Sequence, residues 1–283
     1  MFAMKKFLAL SAMVVVIGGC QSNPITGRSQ MMLISEETAI SQSGAAYTAM
    51  LKPLAEKGKV NNDAAVLKRV ETITGRLVAQ AILYRPETKD WEWSVQVIDE
   101  PETVNAWCMA GGRMAIYTGL IDKLNATDAE IAQVMGHEIS HALLAHTAEK
   151  MSRALAMQLG IIAVAATQSS DTQGQLAVTG VALAAVVALE LPNSRTAESE
   201  ADVVGIELAA KAGYDPHAAE TLWAKMAKVS GSGDSKFDFF STHPAPAKRM
   251  ETLRELVPEM MPYYLDPAPR PTFPVNTTNV VPR

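Results

Sequence analysis

Apolar residues recur at intervals of three and four positions along most of the chain, a pattern typical of helices that pack on a core. One stretch is especially regular, because a single stripe contains Ala65, Leu67, Val70, Ile73 and Leu77. The pattern predicts helices at residues 34–54, 63–83, 196–211, 216–229 and 246–256. Most of the fold is therefore expected to be helical.

The pattern becomes strand-like between residues 91 and 117. Trp93, Val95 and Val97 alternate with polar residues, and a second β-rich run over residues 114–117 follows a glycine pair. A helix start comes next, because Thr127 and Glu130 have the spacing of a capping box, in which each side chain satisfies a free backbone N–H group. These signals predict a small sheet followed by a well-capped helix.

Two strongly apolar runs, residues 160–166 and 177–191, are separated by a polar stretch. Neither reaches the roughly 18 apolar residues that a membrane-spanning helix needs. We therefore expect buried helices here, with contact to a membrane surface as the alternative. Residues 262–283 are rich in proline and are expected to be extended or disordered.

The composition is that of an ordinary globular protein. Of the 283 residues, 48% are hydrophobic and 19% are charged, with a net charge of −5. This mildly acidic balance offers no basic face, so no nucleic acid is expected as a partner. Histidine is rare, with five in the chain, which argues against a metal-storage protein.

The clearest chemical signal is the segment His137-Glu138-Ile139-Ser140-His141 on the capped helix. Histidines four positions apart lie on one face of a helix, so both imidazoles can bind one metal ion while Glu138 points into the same cleft. This spacing is the signature of zinc metallopeptidases. The helix is apolar around much of its circumference, so the histidines border a buried region, where metal ligation removes the cost of an unpaired polar group.

A catalytic zinc ion needs a third protein ligand and an open position for water. Glu198 and Glu200 are the candidates, and Asp202 lies one helical turn beyond Glu198 on the same face. Spacing alone does not choose between the two glutamates. Acidic residues are also favoured at a helix start for purely electrostatic reasons.

Several short motifs surround this segment in a fixed order. They are Asn23-Pro24-x-Thr26-Gly27-Arg28, Asn105-Ala106, Gly111-Gly112, Gly119-Leu120, His146, Ser194-Arg195, Glu198-x-x-Ala201-Asp202 and Thr242-His243-Pro244. In this order and spacing, over roughly residues 23–249, the chain resembles the gluzincin metallopeptidase family that includes HtpX, BepA, LoiP and the CAAX prenyl proteases. The resemblance is strongest to bacterial lipoprotein members of the LoiP type.

The resemblance implies that Glu198 is the third ligand of one Zn²⁺ per chain and that Asp202 orients a ligating histidine. It implies that Asn105, Ala106 and Gly112 lie at the edge of a cleft, where a substrate pairs as an added strand. The matching histidine of the family lies near the zinc. His243 is therefore expected either to donate a hydrogen bond to the oxyanion or to occupy the open metal position in a closed form.

Three further residues have simpler interpretations. His146 is expected to be a helix residue one turn beyond the site, without a direct role. His217 follows Asp215-Pro216 and is expected at a helix start on the surface. Cys108 is interpreted as a small buried apolar residue, because the zinc site already supplies the chemistry.

The first nineteen residues have the form of a secretory signal, with Lys5 and Lys6 before an apolar run over residues 7–17. The run ends in Gly18-Gly19-Cys20, which resembles the lipobox of bacterial lipoproteins and implies a lipid on Cys20. A plain cleavable signal or an uncleaved anchor is the alternative. Gln21 favours the outer membrane under the sorting rule of enterobacterial lipoproteins.

The predicted fold class is α+β, predominantly helical and zincin-like, with a small β-sheet beside the HExxH helix. The predicted organisation is a signal peptide at residues 1–19, a lipid-attached tether at 20–32, a zinc metallopeptidase domain at 33–261 and a disordered tail at 262–283.

The predicted function is a zinc-dependent endopeptidase, anchored in the bacterial envelope and facing the periplasm, that hydrolyses misfolded or misassembled envelope proteins. Its expected partners are those substrates, the membrane through the N-terminal lipid, and the outer-membrane assembly machinery. The alternative is a latent zinc lipoprotein that acts as a chaperone or assembly factor for outer-membrane proteins.

Overall fold

The computed structural model describes residues 20–168, 193–230, 239–243 and 247–278. The predicted signal at residues 1–19 and the apolar run at residues 177–191 lie outside them. The first apolar run, residues 160–166, belongs to a helix, as expected. No helix in the described part of the chain has the length and apolar character needed to cross a membrane.

Helices dominate the fold, which confirms the predicted class. They are α1 Glu36–Glu56, α2 Ala64–Tyr84, α3 Thr118–Lys123, α4 Asp128–Leu143, α5 His146–Gln168, α6 Arg195–Lys211, α7 Ala218–Ser230, α8 Phe239–Thr242 and α9 Ala247–Tyr264, with a 3₁₀ helix at Pro86–Asp90. The periodicity predicted α1, α2, α6 and α7 to within about two residues at each end, the usual uncertainty of a helix boundary. Ser35, Asp63 and Ser194 cap α1, α2 and α6 through their side-chain oxygens.

The predicted small sheet consists of β3 Ser94–Ile98, β4 Ala106–Met109 and β5 Arg113–Tyr117. β5 is the central strand, parallel to β3 and antiparallel to β4. The turn between β4 and β5 contains Gly111 and Gly112 at φ angles of 84° and 81°, a backbone region that favours glycine. Within the described residues, β4 is an edge strand of this sheet.

Helix α4 lies at the centre of the molecule and packs against α2, α6, α7 and β4. Its side chains Ile131, Met135 and Ile139 are fully buried. The predicted capping box starts it: Glu130 N–H donates to Thr127 Oγ1 at 3.2 Å, and Thr127 N–H donates to Glu130 Oε2 at 2.8 Å. The helix that carries the HExxH segment is thus held rigidly in the core.

The segment predicted to be a tether is instead a folded hairpin. β1 Cys20–Ser22 pairs antiparallel with β2 Ser29–Met31. Asn23 and Gln30 are each only 2% exposed, and their side-chain amides donate to Leu144 O at 2.9 and 2.8 Å. The prediction was wrong because these polar residues satisfy a free carbonyl at the end of α4, a long-range role that a turn-rich sequence does not indicate.

The tail was expected to be extended or disordered, and up to residue 278 it is an ordered chain, so the expectation of disorder is wrong there. Helix α9 continues through Pro258 and Pro262 to Tyr264, and the chain then runs along the outer edge of β3. Asn276 N–H donates to Trp93 O at 2.9 Å, and Val95 N–H donates to Asn276 O at 3.0 Å. Val275 is buried. Hydrogen bonds to the edge of β3 and the burial of Val275 hold the tail in place. The proline-rich composition of the tail predicts neither interaction.

Candidate metal centre

Helix α4 presents the two histidines of the HExxH segment side by side. The Nε2 atoms of His137 and His141 are 3.1 Å apart, and their ring centroids are 4.7 Å apart with nearly perpendicular planes. Both side chains are buried. Two imidazole nitrogens therefore converge on one point, as the four-residue spacing predicts.

Helix α6 brings Glu198 to the same point. Its Oε2 atom is 3.5 Å from His137 Nε2, and its Oε1 atom is 3.4 Å from His141 Nε2. Glu200 does not join this group, since its carboxylate faces another part of the molecule. Of the two candidate ligands left open by spacing, the structure therefore brings Glu198 to the histidines.

Two glycines allow this approach, because α4 and α6 cross at Gly136 and Gly205. A Cβ atom on Gly205 would lie 2.8 Å from the backbone N and Cα of His137, and one on Gly136 would lie 2.8 Å from Gly205 O. The helix backbones are therefore in direct contact one residue from the first histidine. Both glycines are visible within the helical patterns of the sequence, but nothing local in the sequence indicates that they meet.

His243 follows α8 and completes the cluster. Its Nδ1 atom is 3.0 Å from Glu198 Oε1 and 3.4 Å from His137 Nε2, and its Nε2 atom is 3.3 Å from Glu138 Oε1. The imidazole stacks on Phe239 at a centroid distance of 4.4 Å. The structure thus places His243 in contact with both the ligand group and Glu138.

The donor set fits zinc. His137, His141, Glu198 and His243 each offer one ligand atom, all within 4.8 Å of one another and all buried. Five distances among the four side chains, with both oxygens of Glu198 counted, lie between 3.0 and 3.5 Å, close to the edge of about 3.3 Å of a tetrahedron whose metal–ligand distances are near 2.0 Å. Glu138 Oε1 is buried and makes no hydrogen bond in the described residues, although His243 Nε2 lies 3.3 Å away, so this oxygen can accept a proton from a water molecule.

Burial and charge shift the protonation equilibria of the cluster. Burial raises the pKa of Glu138, which moves this carboxyl toward the range useful to a general base. Burial lowers the pKa of His141 and so favours the neutral imidazole that binds metal. Burial also opposes ionisation of Glu198, but His243, His137 and His141 outweigh it and hold the pKa of this carboxyl far below its usual range.

Asp202 takes the place predicted for it behind a ligating histidine. Its Oδ1 atom is 3.1 Å from His137 Nδ1. Arg249 from α9 holds Asp202 with two hydrogen bonds of 2.7 Å and lies 2.6 Å from Glu198 Oε2. Arg249 was not predicted as a site residue, because a lone arginine on a later helix carries no local signal of this contact.

His146 is predicted to lie one helical turn beyond the site, but the structure places it in contact with His141. Its Nδ1 atom lies 2.8 Å from His141 Nδ1, and its Nε2 atom lies 3.1 Å from Glu200 Oε2. Helix α4 ends at Leu143 and α5 begins at His146, with Ala145 at a φ angle of 52° between them. This tight turn, rather than a continuing helix, directs His146 back to the site.

A cleft opens beside the cluster, between the edge strand β4 and the start of α5. Its lining includes Glu138, His141, Lys150, Asn193 and His243, together with the whole of β4 and its preceding residue. Asn105 and Ala106, predicted to bind substrate, lie there.

Gly112 does not line the cleft, and its predicted substrate contact is corrected. It lies at the far end of β4, where a Cβ atom would meet the Trp93 ring at 2.5 Å. Gly112 leads directly into β5, which is the central strand of the sheet, whereas the edge strand at the cleft is β4. Cys108 is buried and His217 is exposed, as expected.

Two imidazoles from one helix, a carboxylate from a second helix and a glutamate beside them define a metal centre of the gluzincin class. The chain belongs to peptidase family M48, whose profile matches residues 65–257, and this family is zinc-dependent. The family resemblance and the expected zinc cofactor are thereby confirmed.

Curated relatives include the mitochondrial metalloendopeptidase OMA1 of Schizosaccharomyces pombe, 34% identical over 194 residues that cover 69% of this chain and 52% of the relative. The metalloproteases YcaL and LoiP of Escherichia coli are 27% and 26% identical, over 89% of this chain and 97% and 96% of their own lengths. The chain spans only 31% to 52% of the length of the OMA1 proteins of Arabidopsis thaliana, Schizosaccharomyces pombe and Bos taurus.

Proposed function

We propose that the chain is a zinc-dependent endopeptidase in which His137, His141 and Glu198 hold the metal. The observation that carries this proposal is the convergence of these three side chains, 3.1 to 3.5 Å apart, next to the buried Glu138, whose Oε1 atom makes no hydrogen bond in the described residues. When bound, zinc supplies a Lewis acid that polarises a carbonyl and lowers the pKa of water.

Three side chains near the metal site have the remaining roles. Glu138 takes a proton from the attacking water and passes it to the amine that leaves, so that one peptide bond and one water molecule become a carboxylate and an amine. Asp202 accepts the Nδ1–H of His137 and leaves its Nε2 lone pair free for the metal. Arg249 neutralises Asp202 and Glu198 without touching the cleft.

The strand β4 supports the same proposal from the substrate side. Within the described residues its outer edge is unpaired, and it forms one wall of the cleft beside Glu138. An extended polypeptide can add to such an edge through backbone hydrogen bonds, which hold any sequence in a fixed register. Asn105 and Ala106 lie where this added strand would approach the metal.

The test is a Glu138→Gln variant assayed on casein as an unfolded substrate. Glutamine keeps the size of glutamate but cannot take the proton, so the variant should bind zinc like wild type and lose hydrolysis. Glu220→Gln, on the surface of α7, is the matched control and should remain active. Retained cleavage by Glu138→Gln would exclude the role given to this residue.

A closed state of this site is the second candidate, and the position of His243 favours it. With His243 Nδ1 3.0 Å from Glu198 and 3.4 Å from His137 Nε2, a fourth protein ligand leaves no place for water, and the chain would then serve as a latent zinc lipoprotein, a chaperone or assembly factor. His243→Ala should raise hydrolysis and weaken zinc binding if His243 closes the site. If His243 instead stabilises the oxyanion, kcat should fall by about 10²–10³-fold.

We also propose that the chain is a lipoprotein attached through Cys20, facing the periplasm from the outer membrane. Support comes from the signal-like start before Cys20 and from the exposure of this residue at the beginning of β1. Cys20→Ser should abolish incorporation of radiolabelled palmitate and release the chain from the membrane fraction. Palmitate on the serine variant, or an unchanged distribution, would argue against this anchor.

The proposed substrates are misfolded or misassembled envelope proteins, with the outer-membrane assembly machinery as a source of such chains. An edge strand that binds backbone rather than side chains suits unfolded polypeptides of varied sequence. Glu138→Gln should trap these substrates, so envelope proteins that copurify with it in excess over wild type identify them. Equal recovery with both forms would count against this substrate class.

A further inference from the structure

We propose that Arg28 and Glu200, acting through His146, are positioning residues for the metal ligand His141, so that the N-terminal hairpin is part of the metal centre. This inference rests on the proposed zinc site. It accounts for the Asn23–Arg28 motif, which the peptidase chemistry leaves without a role, and for the acidic residue Glu200, which does not bind the metal.

The contacts form a continuous chain from the ligand to the hairpin. His141 Nδ1 lies 2.8 Å from His146 Nδ1, and His146 Nε2 lies 3.1 Å from Glu200 Oε2. Glu200 Oε1 accepts hydrogen bonds of 2.9 Å from Arg28 Nε and from Thr26 Oγ1. Each bond joins a different element, so α4, α5, α6 and the hairpin meet in one line.

Metal ligation fixes the direction of every proton along this line. A histidine that gives its Nε2 lone pair to zinc carries its proton on Nδ1, so His141 donates to His146 Nδ1. His146 must then carry its own proton on Nε2, which it donates to Glu200. The carboxylate of Glu200 accepts from His146, Thr26 and Arg28 without conflict. The network therefore supports one tautomer of His141, the one that binds metal.

The other ligating histidine has the same arrangement in a shorter form. His137 donates from Nδ1 to Asp202, which is held by Arg249. Such outer partners set the orientation and basicity of a metal-binding imidazole. On the side of His141, the carboxylate is that of Glu200, which is connected to His141 through His146. The arginine is Arg28 of the hairpin.

The hairpin is built to hold Arg28 in place. The guanidinium also bonds Glu149 at 3.0 and 2.7 Å, and the Glu149 side chain is only 4% exposed. Asn23 and Gln30 fasten the hairpin to Leu144 O, three residues beyond His141. The hairpin that follows Cys20 is thus connected to the metal ligand through a chain of buried and partly buried polar contacts.

The test measures zinc affinity of the full-length protein by competition with a chelator, separately from hydrolysis. In Arg28→Ala and Glu200→Gln we expect zinc binding weaker by about 10–100-fold, the usual effect of losing an outer partner of a ligand. The kcat value should fall while KM stays within about twofold, because the cleft is unchanged. Arg28→Lys should recover part of the affinity, since an ammonium can replace one of the contacts.

Arg153→Ala is the matched control. Arg153 also pairs with Glu149, but its side chain is 48% exposed and the line of contacts from His141 to Arg28 does not pass through it, so this variant should keep wild-type zinc affinity and kcat. Glu200→Gln preserves volume, so it answers the question even if Arg28→Ala fails to fold. Wild-type affinity and kcat in a folded Glu200→Gln protein would overturn the inference. Absence of zinc binding in the wild type would instead overturn the proposed function.

Discussion

Gly205 gives the sharpest quantitative test of how the fold places Glu198. In Gly205→Ala the new methyl group would lie 2.8 Å from the backbone of His137, whereas carbon atoms in contact are about 3.5–4.0 Å apart. Helices α4 and α6 must therefore separate by about 1 Å at their crossing. Overpacking of this kind costs about 1–3 kcal/mol, partly offset by the gain of about 1 kcal/mol from replacing a helical glycine with alanine.

The net loss of folding free energy should thus be small, about 0–2 kcal/mol, while the loss of activity should be large. A displacement of about 1 Å within an active site can cost about 100-fold in rate, so we expect kcat/KM on a casein peptide to fall by that factor and zinc affinity to fall with it. Urea denaturation of the metal-free protein measures the stability. The control is Val203→Ala on the exposed side of α6, where the Val203 side chain is 38% exposed. This variant should keep the wild-type kcat/KM and zinc affinity.

If Gly205→Ala has wild-type zinc affinity and kcat/KM, the contact between the two helix backbones does not set the geometry of the metal centre. A protein that unfolds outright would also contradict the estimate, because the expected change in folding free energy is small compared with the stability of an ordinary domain, about 5–15 kcal/mol.

Three further predictions follow from individual contacts. Thr127→Ala removes half of the capping box at the start of α4 and should lower the free energy of unfolding in urea by about 1 kcal/mol. Asp202→Asn keeps an acceptor for His137 but loses the charge, and should weaken zinc binding in chelator competition by about 10–100-fold. Burial raises the pKa of Glu200, but hydrogen bonds from its three donors outweigh this effect and lower the pKa to about 2. The ionised Glu200 therefore stabilises the folded protein fully above pH 4.5, and this contribution is lost as the pH falls toward 2. The stability difference between wild type and Glu200→Gln, measured by denaturation against pH, should therefore shrink over that interval.

The sequence predicted the elements whose signals are local. Helical periodicity, the capping box and the strand-like alternation depend on residues within one or two turns of each other, and they place α1, α2, α4 and β3 correctly. The spacing of His137 and His141 is likewise local, because a single helix fixes it. The family motifs supplied Glu198, which spacing alone left in competition with Glu200.

The sequence could not predict contacts between polar residues that are far apart along the chain. Arg249 reaches Asp202 and Arg28 reaches Glu200 across 47 and 172 residues, and no periodicity records such pairs. The same holds for the hairpin and the tail, whose composition indicates turns but whose order comes from bonds to Leu144 and to β3. Gly112 was misplaced because strand order within a sheet does not follow sequence order.

The most direct test of the zinc endopeptidase proposal is to measure metal content and casein hydrolysis on the same purified samples of wild type and Glu198→Ala. Elemental analysis should find one zinc per wild-type chain, and a chelator should abolish hydrolysis until zinc is restored. Glu198→Ala, folded by circular dichroism, should retain little zinc and no activity. A wild-type protein that cleaves casein without zinc, or a Glu198→Ala variant with full metal content and activity, would contradict it.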